Sequence, residues 1–160
     1  MFRLVGSWFC AGLLAILSAG GAWAQVAKVE RVDVIESGLY TLVRGPAGSE
    51  PVATFVESTD TVVARVGSTF GFRYLLVGEP AGAPVSLWLV TRIPPPGVQN
   101  PTLRANVTVT EEPFTAVIGT THISGYSFDS SWEAVPGPWI LEIRYGQEKL
   151  AERRFNVVRP

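Results

Sequence analysis

The chain has 160 residues, with 13 Lys or Arg against 14 Asp or Glu and one His, for a formal net charge of −1. Apart from Arg153-Arg154 the basic residues are scattered singly, so no stripe tracks a phosphate backbone, no patch meets an anionic membrane, and nucleic acid is excluded as a partner. One Cys in the whole chain excludes a disulfide framework and a thiolate metal cluster.

Met1 to Ala24 has the three parts of an export signal: Arg3 near the start, the apolar run LLAILSAGGA, and small residues Ala22 and Ala24 bracketing Trp23. This predicts a signal peptide helix over residues 1–24, cleaved after Ala24, and a periplasmic or secreted mature chain over 25–160 with no membrane insertion. Retention as an anchor is disfavoured by Gly20 and Gly21 inside the apolar stretch. Cys10 lies within the signal behind Trp8 and Phe9, which are too bulky for a lipoprotein cleavage site. Residues 25–160 suit one domain with one core.

Alternation predicts a strand over Lys28–Ile35 and another over Gly38–Arg44, with Val32, Val34 and Leu39 inward. The run from Gly45 to Pro51 reads as a loop. Thr54–Glu57 and the β-branched run Thr61–Val66 read as short strands. In TFGFRYLLVG, Phe70, Phe72, Tyr74 and Leu76 line one face of a buried strand, where truncating Phe72 to Ala should cost about 3–5 kcal/mol. Val85–Thr91 is apolar on both faces, as expected inside a sandwich. Ile93-Pro94-Pro95-Pro96-Gly97 removes three ladder donors in a row. With Val98–Pro101 it reads as the most distinctive loop, a stiff connector or an exposed recognition edge.

Strands follow over Leu103–Glu111 and Phe114–Ile118. The closing stretch from Tyr126 to Val158 reads as a hairpin. Trp139, Leu141, Ile143 and Tyr145 share one face of the first strand, and Gly146–Glu148 turns the chain. Leu150 is out of phase with Phe155, so a bulge is expected near Glu152. Gly125–Phe128 is expected to pair beside Trp139–Tyr145. The sum is an all-β, immunoglobulin-like antiparallel β-sandwich of about seven to nine strands.

At GSTFGFRYLLVGEP and YSFDSSWEAVPGPWILEIRYGQEKLAERRFNV the chain resembles a bacterial family, domain of unknown function 3859. The features that carry the resemblance are Phe70-Gly71-Phe72-Arg73-Tyr74, Phe128, Trp132-Glu133, Val135-Pro136-Gly137, Trp139 and the final Phe155-x-Val157. The resemblance implies a small exported bacterial β domain. It brings no known activity and no catalytic residues.

Catalytic constellations fail on inventory. His122 is the only histidine, so a metal site would need carboxylates for its other ligands. A triad of His122 with Ser124 or Ser127 and Asp129 lacks a nucleophile elbow. Asp129 and Glu133 flank Trp132, a combination that can bind sugar by stacking and hydrogen bonding, as can Trp88 or Trp139 beside an acid. The simpler account has Asp129 and Ser130 shaping a turn while Trp132 plugs the sandwich end. Arg73, in an apolar strand, needs a carboxylate, and Glu133 or Glu142 is the expected partner. The leading expectation is therefore a non-enzymatic module without metal or cofactor that binds a protein or envelope component. Its candidate surface residues are Pro94, Pro95, Pro96 and Trp132. A carbohydrate-binding domain or weak glycosidase is the alternative.

Overall fold

The computed structural model describes residues 26–43, 51–100 and 105–160. The expected signal peptide over 1–24 lies outside them. Among the described residues there are eleven strands: β1 (Lys28–Val43), β2 (Val52–Glu57), β3 (Thr61–Val63), β4 (Thr69–Glu79), β5 (Pro84–Arg92), β6 (Val98–Asn100), β7 (Ala105–Val107), β8 (Val109–Val117), β9 (Thr121–Ser127), β10 (Gly137–Tyr145) and β11 (Glu148–Val158). One sheet runs β2-β1-β4-β9, the other β3-β11-β10-β5-β8, and β6-β7 is a separate small hairpin. The strand count exceeds the expected seven to nine because of this hairpin and the three-residue β3. Pairing is antiparallel except between β11 and β3, which is parallel.

The two aromatic ribbons meet as their periodicity requires. Phe70, Phe72, Tyr74 and Leu76 on β4 are fully buried, as are Trp139, Leu141 and Ile143 on β10. Phe70 bridges the sheets, its ring centroid 5.9 Å from Trp139 and 5.0 Å from Phe155. Val32, Val34 and Leu39 pack against this core from β1. Burying each such large side chain is worth about 1.5–3 kcal/mol of transfer free energy.

Several boundaries differ from the sequence reading. Lys28–Val43 is one strand, not two, and the pairing of β1 with β4 is kept through Gly38. Only Thr61–Val63 of the expected Thr61–Val66 strand is ladder; the Ala64 N–H bonds the Val158 carbonyl and the chain then turns. The division between Leu103–Glu111 and Phe114–Ile118 falls elsewhere, because β8 runs unbroken through Pro113. It lies at the edge of its sheet, where a proline need cost no ladder bond. Val98–Asn100 is ladder as well, paired with β7. The extra residue in β11 is Leu150, since Ile143 faces Ala151 while Arg144 faces Lys149, two positions from the expected bulge. Finally, β9 pairs with β4 and not with β10, whose neighbours are β11 and β5. Tyr126 and Phe128 still reach Trp139, at 4.9 and 5.4 Å, but from the opposite sheet.

Candidate functional site

The Pro-rich run is a turn fastened at both ends. The Ile93 N–H donates to the Thr108 carbonyl at 2.8 Å and the Gly97 N–H to the Pro94 carbonyl at 2.8 Å. Pro94 is buried while Pro95 and Pro96 are exposed. Pro94 lies so close to Gly137 that a Cβ there would sit 2.8 Å from its own, so this turn and the Phe128–Pro136 connection carrying Trp132 occupy one end of the sandwich. Trp132 is half-buried against the core. Trp139 is fully buried, and its Nε1–H donates to the Val135 carbonyl at 2.8 Å, which removes it from sugar stacking. Trp88 is 37% exposed on the outer face of β5, opposite Arg144.

Several of the candidate side chains are engaged locally. Glu133 Oε2 accepts the N–H groups of Asp129 and Ser130, both at 2.7 Å, which makes it a turn cap (Asp129 and Ser130 do shape that turn). Beside it, burial first and then the Glu133 charge push the Tyr126 hydroxyl up to about 12. His122 Nε2 lies 2.9 Å from Thr120 Oγ1 and 3.1 Å from the backbone of Val117. Ser124 Oγ pairs with the Tyr74 hydroxyl at 3.2 Å and Ser127 Oγ with Thr69 Oγ1 at 2.7 Å, so both candidate nucleophiles bond to β4. No group of three His, Cys, Asp or Glu side chains gathers to hold a metal among the described residues.

Arg73 pairs with neither Glu133 nor Glu142. Its Nε is 2.9 Å from Glu36 Oε1 on β1, because Arg73 points to the outer face and stands opposite Glu36 in the ladder. Glu142, in the other sheet, is only 3% exposed and receives Arg92 at 2.6 Å and Arg144 at 2.6 Å. Burial would push its carboxyl up, but the hydrogen bonds and charges of the two arginines outweigh that and hold it below its ordinary value.

What the sequence reading missed is the outer face and free edge of the four-stranded sheet. Gly38 stands opposite Gly71, and Gly71 opposite Gly125, so three glycines form a row across β1, β4 and β9. The strands approach closely there: a Cβ on Gly71 would lie 2.3 Å from the Ser124 carbonyl oxygen, and one on Gly125 would lie 2.5 Å from that of Phe70. The row is therefore bare of side chains. At its β1 end the Tyr40 hydroxyl reaches Glu36 Oε1 at 3.4 Å, which lays the ring across Gly38. Tyr40 is only 5% exposed, and burial followed by the Glu36 charge pushes its hydroxyl up to about 12. At the β9 end Gly125 is part-exposed. A cleft of about 150 Å³ crosses this face from Tyr40 and Leu42 over Gly71 to Ile123, Gly125 and Ser127.

β9 has no partner on its other side among the described residues. The Leu76 N–H bonds the Thr120 carbonyl at 3.1 Å, and the Phe128 N–H bonds that of Ser68 at 3.0 Å. In an antiparallel ladder such groups alternate in direction, so even positions bond β4 while Thr121, Ile123, Gly125 and Ser127 direct their N–H and C=O outward. β9 carries no Asp, Glu, Lys, Arg or Pro. On its inner side a second cleft of about 280 Å³ lies between Ile123-Ser124-Gly125 and the Leu89, Glu112 and Phe114 side chains. Larger hollows of about 400 and 490 Å³ open near Thr41, Gly67 and Thr69, where the polar groups are mainly hydroxyls with Arg65 in one and Asp129 in the other.

The fold is that of an immunoglobulin-like protein. The chain is 28% identical to an immunoglobulin-like protein from Pseudomonas aeruginosa, with a TM-score of 0.53, covering 81% of this chain and 98% of that one. Weaker likenesses include the alkylpurine DNA glycosylase AlkC of Pseudomonas fluorescens (13% identity, 79% and 30% covered, TM-score 0.38) and the β-D-glucoside glucohydrolase of Trichoderma reesei (11%, 82% and 19%, 0.35). No curated protein matches the sequence. Residues 28–157 match the domain of unknown function DUF3859, and the chain belongs to that family.

Proposed function

We propose that this chain is an exported, non-enzymatic β-sandwich module that binds a protein partner by adding the partner's strand to β9. The observation that carries the reading is the uncharged free edge, along which Ile123 and Gly125 line a cleft on either face. Strand addition draws affinity from main-chain hydrogen bonds, and pockets for alternate side chains supply selectivity. Export rests on the signal at residues 1–24 and on the absence of thiols after Cys10. Glu133 is engaged in a turn cap, and His122, Ser124 and Ser127 in hydrogen bonds within the sheet or its adjoining turn.

A photo-crosslinking amino acid at position 123 in exporting cells tests the binding edge, with position 115 on β8 as the control. A protein adduct specific to 123 is expected, on a chain whose intact mass begins at Gln25. No adduct at 123, or equal adducts at both positions, would overturn the reading.

A further inference from the structure

We infer that the strand added to β9 is β9 of a second copy, joining two four-stranded sheets into one across a two-fold axis. This rests on the edge reading above and names its occupant. The outward backbone groups belong to odd positions, so a symmetric antiparallel pairing must set odd opposite odd. An axis through Ser124 does so along the whole strand: Thr121 meets Ser127 of the second copy, and Ile123 meets Gly125. Such a contact is isologous, each copy giving and receiving the same pair.

The side chains fit that register. Ile123 is 40% exposed on the outer face, two positions from the part-exposed Gly125. Across the axis each isoleucine lies at the open end of the other copy's glycine row, covering Gly125 as Tyr40 covers Gly38 within one chain. An aromatic or branched side chain laid over a cross-strand glycine is a recognised way to pin register. Charge points the same way, because an edge without charged residues meets its own copy without like-charge repulsion.

The other edges are less suited. β8 carries Glu111-Glu112-Pro113, residues that block edge pairing. β3 has three residues. β2 ends in Glu57 and is paired to β1 across a register shift at Leu39/Tyr40. Seven residues at about 3.4 Å each give an edge roughly 24 Å long, too little for more than a small interface below about 1,200 Å². The association is accordingly a reversible monomer–dimer equilibrium.

Sedimentation of the mature chain over low to high micromolar concentration reads it directly. Dimer should grow with concentration, and hydrogen exchange should slow at Thr121, Ile123, Gly125 and Ser127 as it does, with the even positions already protected in the monomer. Ile123→Lys places a charge in the seam and should weaken dimerisation at least about tenfold, a change of about 1.4 kcal/mol, whereas Thr115→Lys on β8 should leave it unchanged. A wild-type chain that stays monomeric, a dimer indifferent to Ile123→Lys, or a dimer that leaves the odd amides of β9 unprotected refutes the inference. A monomer that still crosslinks through position 123 to a different exported protein refutes self-pairing while sparing strand addition.

Discussion

Phe70 offers the sharpest test of how the two sheets hold together. It is fully buried, and its ring centroid lies 5.0 Å from Phe155, 5.5 Å from Phe128, 5.9 Å from Trp139 and 6.2 Å from Tyr126. Truncation of a core Phe to Ala costs about 3–5 kcal/mol, set by how far the surroundings collapse. Collapse is limited here, because the neighbours are rigid rings from β9, β10, β11 and the β9–β10 connection. Aromatic pairs are each worth a further ~0.5–1.5 kcal/mol beyond burial, so Phe70→Ala should sit near the upper end, at about 4–5 kcal/mol. With a urea slope of about 2 kcal/mol/M, the middle of the usual range, the unfolding midpoint should fall by roughly 2–2.5 M, followed by tryptophan fluorescence. A cycle of Phe70→Leu with Phe155→Leu should show a coupling of about 0.5–1.5 kcal/mol. A loss below about 1.5 kcal/mol for Phe70→Ala, or strict additivity in the cycle, would mean that the sheets are not held through this ring.

Glu142→Gln should destabilise the fold by about 1.5–3 kcal/mol at neutral pH, the range for hydrogen bonds to charged groups, since Arg92 and Arg144 are exposed enough to rehydrate. The Glu142 carboxyl is held below its ordinary value, so its contribution is present above the unfolded carboxylate pKa of about 4.3 and is lost as pH falls through the folded value. Urea titrations at neutral and acid pH should therefore show the wild-type advantage shrinking in acid; a pH-independent difference would refute the charge-based account. Trp139→Phe removes the Nε1–H donor to Val135 and should cost about 1–3 kcal/mol by leaving a carbonyl unsatisfied, read as a lower thermal midpoint with the near-ultraviolet tryptophan bands reduced.

The strands that periodicity marked most strongly were legible because each buries one face only. Phe70 to Leu76 and Trp139 to Ile143 alternate without a lapse, and both ribbons lie in the core as the alternation requires. Pairing was less legible, because period 2 says which face a residue takes and nothing about its neighbour. Gly125–Phe128 has its aromatics in phase with Trp139, which suits a strand beside β10 as well as one facing it across the sandwich. Only the ladder with β4 distinguishes them. Arg73 shows the same limit: its need for a carboxylate is legible in the sequence, but nothing in the pattern distinguishes Glu133 or Glu142 from Glu36, which only the β1–β4 register brings opposite it. Pro113 falls between the two strands expected over Leu103–Glu111 and Phe114–Ile118, although at a sheet edge it divides nothing. Of the candidate surface, the exposure of Pro95 and Pro96 was within reach of sequence reasoning, whereas the burial of Pro94 depends on its contact with Gly137.

The glycine row left the faintest trace in the sequence, and it makes the last prediction. Gly38, Gly71 and Gly125 are far apart along the chain, and singly each reads as a break or a weak point in a strand. Register makes them one feature, and the feature requires something to lie over it, because bare backbone on an outer face keeps water on the ladder. Tyr40 does this at the β1 end, in edge contact with Phe55 at 5.5 Å and hydrogen bonded to Glu36. Tyr40→Ala should therefore cost about 3 kcal/mol, close to a core aromatic truncation, despite its place on the outside of the sheet. Tyr40→Phe should cost under about 1.5 kcal/mol, the worth of one ordinary hydrogen bond. Denaturant titration of the pair separates ring from hydroxyl. If both substitutions cost the same, the hydroxyl and not the covering ring is what matters, and the argument that Ile123 of a second copy covers Gly125 loses its precedent within the chain.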